Sequence, residues 1–245
     1  MTAITAPTIV LLPGNMCDAR LWRGLVPLIG DRPLAFPALD ADDSIAAMAA
    51  RVLNEHEGML LPIGFSMGGI VALSIARLAP ERVAAIVLLD TNASADLPER
   101  AAARPAQQSM VREGGLEPVV MEQLMPHYMA ETNADDPDLK ALVRDMALGL
   151  GADVFVHQSE ALRTRPDQRE VLPQLDIPSF LACGAEDRLC PPAWHRAMAA
   201  GASDAELHVI EEAGHMLPLE QPAALGALLR PWLDRVMGDA HAQIS

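Results

Sequence analysis

Apolar residues along this chain come in short unbroken runs rather than in strict alternation. Thr8-Ile9-Val10-Leu11-Leu12, Met59-Leu60-Leu61-Pro62-Ile63, Val83 to Leu89 and Ser179 to Cys183 each read as a strand covered on both faces. Pro33 to Phe36 and Ala205 to Ile210 extend the set to six. Helical patterns fall between them. Ala19 to Leu28 reads as a short helix, Ser44 as the N-cap of a helix to about Glu55, and Ile70 to Leu78 as a third. Pro192 to about Ala200 and Pro222 to Val236 follow the later strands, the last bent at Pro231, where a backbone donor is missing. Strands alternating with helices predict an α/β fold with a mostly parallel sheet, whose sites lie at the carboxyl ends of the strands.

The alternation breaks between residues 93 and 172. Helical stretches near 97–112, 116–130, 137–149 and 152–164 are separated by Gly114-Gly115, Asn133 to Pro137 and Gly151. This reads as a helical cap, residues 93–172, inserted within one domain spanning 1–245. Methionine at helical spacing is usually packing. A cap buries little against its own helices, however, so Met121, Leu124, Met125 and Tyr128, with Met16, are candidate pocket residues.

The most informative junction is Ile63-Gly64-Phe65-Ser66-Met67-Gly68-Gly69, between a strand and a helix. Gly-x-Ser-x-Gly in that setting is the signature of a nucleophile on a strained turn. A side chain at 64 or 68 would collide with a neighbouring element, and the serine hydroxyl would stand above the sheet edge over a helix N-terminus. The motif alone arises by chance in about one chain in ten of this length, so its context has to decide.

The context supplies the rest. Asp187 follows one predicted strand and His215 the next, in the order Ser, Asp, His expected on this topology. A serine hydroxyl needs a base; His215 would take its proton, and Asp187 would hold the imidazole tautomer. Asp90, ending the fourth strand, is the substitute acid. The oxyanion calls for two fixed donors: the N–H of Met67, directly after the nucleophile, and that of Asn15, in the loop after the first strand. His208 reads as structural within its strand, and His56, His195 and His241 as surface residues. His127 and His157 lie in the cap, and Glu186 reads as solvated.

Composition narrows the partners. The chain of 245 residues is 51% hydrophobic, enough for a large core, and carries a formal charge of −15, which argues against nucleic acid and anionic membranes. No run approaches the ~18 residues of a membrane span, and the N-terminus lacks a basic leader pattern, so the expected location is the cytoplasm. Cys17, Cys183 and Cys190 have no paired spacing and read as buried fillers, with neither a metal nor a cofactor expected. A monomer or homodimer acting on a small-molecule ester is the expected assembly.

Gly64-Phe65-Ser66-Met67-Gly68-Gly69, Gly184-Ala185-Glu186-Asp187 and Gly214-His215 are similar, in order, to three motifs of the α/β-hydrolase fold superfamily. The resemblance runs from Ile9 to about Trp232 and is nearest to small capped serine esterases, including carrier-linked methyl ester esterases and some lactonases. It implies nucleophile, acid and base at Ser66, Asp187 and His215. Pro13-Gly14 stands where the family commonly has His-Gly, which leaves the support of the oxyanion loop in question. The family's N-terminal hairpin is missing, so about six parallel strands are expected. Three functions remain: an esterase working through an acyl-enzyme, a lactonase or carbon–carbon bond hydrolase with the same triad, and a non-catalytic small-molecule receptor.

Overall fold

Six strands pair into one wholly parallel sheet in the computed structural model, which describes residues 6–242. They are β1 (Thr8–Leu12), β2 (Leu34–Ala35), β3 (Leu60–Phe65), β4 (Ile86–Leu89), β5 (Ser179–Gly184) and β6 (Ala205–Ile210), in the spatial order β2-β1-β3-β4-β5-β6. The order reverses direction between β1 and β3, so β3, which leads into Ser66, lies centrally, at the switch point where such sheets bind ligands. The expected fold class stands.

Because both faces are covered, the inner strands are apolar throughout. Ile9, Leu11, Ile63, Phe65, Leu89 and Phe180 face a core completed by Leu225, Leu229 and Trp232 of α8 (Pro222–Ala242). Leu12, Ile86, Leu88 and Leu181 face the opposite core with α1 (Ile45–Glu55) and α2 (Met67–Leu78). The Ser44 hydroxyl caps α1 by accepting from the Ala47 N–H.

Some boundaries differ from expectation. β2 keeps only two residues, because Pro33 and Pro37 flank it and neither can donate to a ladder. β4 begins at Ile86, with Val83 forming an isolated bridge to Leu60. Residues 19–28 form two 3₁₀ turns, Ala19–Trp22 and Val26–Leu28, with Gly24 and Pro27 between and within them. α8 continues past Val236 to Ala242 with Pro231 inside it.

Between β4 and β5 lie α3 (Pro98–Arg112), α4 (Leu116–Pro118), a π-helical turn at Val119–Leu124 and α5 (Pro137–Arg163). α5 is broken at Gly151, whose φ of 86° and ψ of 178° are open only to glycine. Two shorter helices, α6 (Pro192–Gly201) and α7 (Leu217–Glu220), complete the set. Among the described residues no helix is long and apolar enough to cross a membrane.

Candidate active site

Among the described residues, four that are not glycine adopt positive φ, and each follows the carboxyl end of a different strand: Met16 after β1, Ser66 after β3, Asp90 after β4 and Glu212 after β6. Strain gathered on one sheet edge is the backbone signature of a functional site.

Ser66, at φ 50° and ψ −114°, makes the sharpest of these turns. Its N–H donates to the Leu89 carbonyl (2.9 Å), and the Thr91 hydroxyl donates to its carbonyl (2.6 Å). A Cβ at Gly64 would overlap the Gly68 carbonyl, and one at Gly68 would overlap the Leu12 carbonyl. The strand, the turn and the helix thus touch backbone to backbone, which only glycine permits.

The three side chains expected to converge do so. The Ser66 Oγ lies 2.9 Å from His215 Nε2, and His215 Nδ1 lies 2.9 Å from Asp187 Oδ2. The other Asp187 oxygen accepts from the N–H groups of Leu189 (2.8 Å) and Cys190 (2.9 Å), so both oxygens are occupied. Burial pushes the Asp187 carboxyl up, but the facing His215 and these hydrogen bonds outweigh it and hold the group below its ordinary 3.8. The rings of Phe65 and Tyr128 flank the imidazole, with centroids at 5.3 and 5.9 Å. His215 is further pinned through its N–H to the Tyr128 carbonyl (2.7 Å). Glu220 accepts from the Gly214 and Met216 N–H groups on one oxygen and from the Ala130 N–H on the other.

Asp90 is fully buried beside this array. One oxygen accepts from the Gly184 N–H (2.9 Å), and the other has no partner among the described residues. Burial, reinforced by the charge of Asp187, raises its pKa well above 3.8. The imidazole faces Asp187, not Asp90.

Two backbone donors lie near Ser66. The N–H groups of Asn15 and Met67 have no hydrogen-bond partner among the described residues. The loop carrying Asn15 is braced by Gln158, on the second half of α5. Its Oε1 accepts from the Met16 N–H (2.8 Å) and from Asn15 Nδ2 (3.1 Å), while its Nε2 donates to the Leu39 carbonyl (2.8 Å). A mid-helix glutamine carries no signal in sequence, so Gln158 was unreadable there. It lies in α5 beyond the break at Gly151.

A cavity of about 400 Å³ opens beside Ser66. Leu124 and Tyr128 line it with Ile70 and Leu162. Met16, Met121 and Met125 are not among its lining residues: Met16 packs with Val119 and Phe155, Met125 with the Tyr128–Met129 core, and Met121 against both groups. Of His127 and His157, the first reaches the cavity. His195 is a correction. It is fully buried, and its Nε2 accepts from the Thr91 N–H (3.0 Å), while burial lowers its pKa to about 4. It shares the inward face of α6 with Met198, while Arg196 beside it is exposed. Glu186 is only half exposed and accepts from the Glu131 N–H.

Asp187, Cys190 and His215 also place donor atoms within 4.8 Å of one another, a spacing a metal could use. His215 and Asp187 are already bonded to each other, and burial raises the Cys190 thiol well above its ordinary 9.0. The trio therefore reads as a hydrogen-bonded pair beside a neutral thiol. All three cysteines are free and buried.

Residues 9–228 match the sequence profile described as the alpha/beta hydrolase family. The chain is 27% identical over 219 residues to a pimeloyl-(acyl-carrier protein) methyl ester esterase of Neisseria meningitidis, covering 87% of this chain and 68% of that one. Among solved structures, a thermophilic esterase from Thermogutta terrifontis in a malate-bound form is similar at TM-score 0.85 and 27% identity, over 95% of this chain and 91% of that chain. An enol-lactonase from Burkholderia xenovorans has TM-score 0.82 at 20% identity, over 95% and 93% of the two chains, and shows the shared fold.

Proposed function

The chain belongs to the alpha/beta hydrolase family, and from that premise we propose that it hydrolyses a small carboxylic ester through an acyl-enzyme on Ser66. The observation that carries this reading is the continuous chain of 2.9 Å contacts from the Ser66 hydroxyl through His215 to Asp187, on a strained turn. His215 Nε2 takes the hydroxyl proton as Oγ attacks the ester carbonyl, then delivers it to the departing alcohol. A water activated by the same nitrogen releases the acid and restores the serine. Asp187 stabilises the imidazolium formed in between. The unpartnered N–H groups of Asn15 and Met67 supply the oxyanion donors, with the N-terminus of α2 adding its dipole.

Residues 93–172 act as the cap in this reading. Support comes from Leu124, Tyr128 and Leu162, which reach from that segment into the cavity holding Ser66. The methyl ester esterase and the thermophilic esterase are similar over most of the chain, which favours ester cleavage over a receptor role. A fluorophosphonate probe tests the central claim: it should label Ser66 stoichiometrically in folded protein, and absence of labelling would remove the catalytic reading.

Gln158 is the positioning residue for the oxyanion loop. Replacing it with leucine strands the Met16 N–H and the Leu39 carbonyl, at about 1–3 kcal/mol each. A displaced Asn15 donor should lower kcat by on the order of 10–100-fold, short of the 10²–10³ lost when such a donor is deleted. KM should change little. Lower stability with an unchanged kcat would reduce Gln158 to a packing role.

A further inference from the structure

The chain carries a formal charge of −15, yet the wall of its cavity is cationic. Arg100, Arg104, Arg165 and Arg188 line it against one carboxylate, Asp96. The Asp96 side chain, 1% exposed, is shared between Arg104 (2.7 Å) and Arg165 (3.0 Å), so a single negative charge offsets two guanidinium groups. Arg165 is itself 4% exposed and donates Nε to the Ser94 carbonyl. Arg100 donates Nη1 to the Leu189 carbonyl and lies over the Trp194 ring at 5.9 Å, contacts that fix its direction without neutralising it. Among the described residues no carboxylate pairs with Arg100 or Arg188. Three uncompensated positive charges around a partly enclosed space cost folding energy, and an arginine fork is matched by a carboxylate or a phosphate.

We propose that the ester cleaved at Ser66 carries a compact anionic group, a carboxylate or a phosphate, seated by Arg100 and Arg188 beside the Arg104–Asp96–Arg165 wall. The inference rests on the hydrolase reading above and gives it a substrate class. The balance of charge also fixes the scale of the ligand. An acidic macromolecule meets a repulsive field from the molecule as a whole, whereas a small anion meets the arginines once inside.

Paired substrates test this. The kcat/KM of mono-p-nitrophenyl glutarate is compared with that of p-nitrophenyl pentanoate, and that of the acetate ester of glycerol 3-phosphate with that of glycerol. The first pair reports a carboxylate on the acyl side and the second a phosphate on the alcohol side. The anionic member of at least one pair should be preferred on the order of tenfold, the size of one charge-assisted hydrogen bond. The double variant Arg100→Gln with Arg188→Gln should bring that ratio close to one; Arg188→Gln alone, at an exposed position, gives a readable decrease should the double variant not fold. Equal rates within each pair, or a preference for the neutral member, overturn the inference and leave hydrolysis standing. A wild-type preference that survives in the variants overturns the assignment to these arginines. Folded protein that turns over none of the four esters overturns the hydrolase reading itself.

Discussion

Ser66→Ala should lower turnover of an activated ester by about 10⁶-fold, the loss typical of a deleted triad serine. The substitution removes one oxygen whose contact in the site is His215 Nε2, and it leaves the Cβ, the turn and both oxyanion donors in place. Product acid should therefore bind the variant about as it binds the wild type, and the fold should be intact by circular dichroism. The measurement is p-nitrophenyl ester hydrolysis against a buffer blank. A variant retaining more than about a thousandth of the wild-type rate would move the nucleophile elsewhere, because the residual catalysis left to binding and oxyanion donors falls below that level.

Asp187→Asn should cost on the order of 10⁴ in kcat with little change in KM. Ionised Asp187 can only accept, so it holds the proton on His215 Nδ1 and leaves Nε2 free to take the serine's proton. An asparagine can turn its amide toward Nδ1 and reverse that tautomer. Asp90→Asn is the contrasting variant and should keep most of the activity, since the imidazole does not face it. Its expected signature is in stability. Wild-type Asp90 has a raised folded pKa, so above 3.8 the folded state holds a proton that the unfolded chain has released. Stability contributed by this group is therefore lost as pH rises through that window. Asp90→Asn should raise Tm more at pH 7 than at pH 4, and asparagine also accepts the φ of 43° found there. A large loss of kcat in Asp90→Asn with a mild effect in Asp187→Asn would exchange their roles.

The sheet was legible in the sequence because burial on both faces writes itself as unbroken apolar runs: β1, β5 and β6 fall within a residue of their expected limits, while β3 runs on past its expected end at Ile63 to Phe65. Ser66, Asp187 and His215 were legible for a related reason: each follows a strand whose end the pattern marks. What could not be read depends on contacts across long stretches of chain. Gln158 meets Met16 from 142 residues away, and nothing in a polar helix position announces it. Leu124 and Met125 are neighbours in sequence, yet the first lines the cavity and the second packs into the core, because adjacent side chains on a helical turn point about 100° apart. His195 was misread because it lies on the inward face of α6 with Met198, and a lone histidine does not announce which side of a short helix it takes.

The loop bearing His215 and the strand of chain from Tyr128 to Asn133 are stitched together: the Tyr128 carbonyl receives the His215 and Met216 N–H groups, and Glu220 grips Ala130 and Asn133 while holding Gly214. Ordinary lids swing clear while the chemistry waits untouched below. Here the two are coupled, since lifting the 128–133 strap would break the hydrogen bonds that hold the loop of His215. In the cap reading proposed above, raising this strap would separate His215 from Ser66, so substrate entry and an assembled triad could not both depend on it.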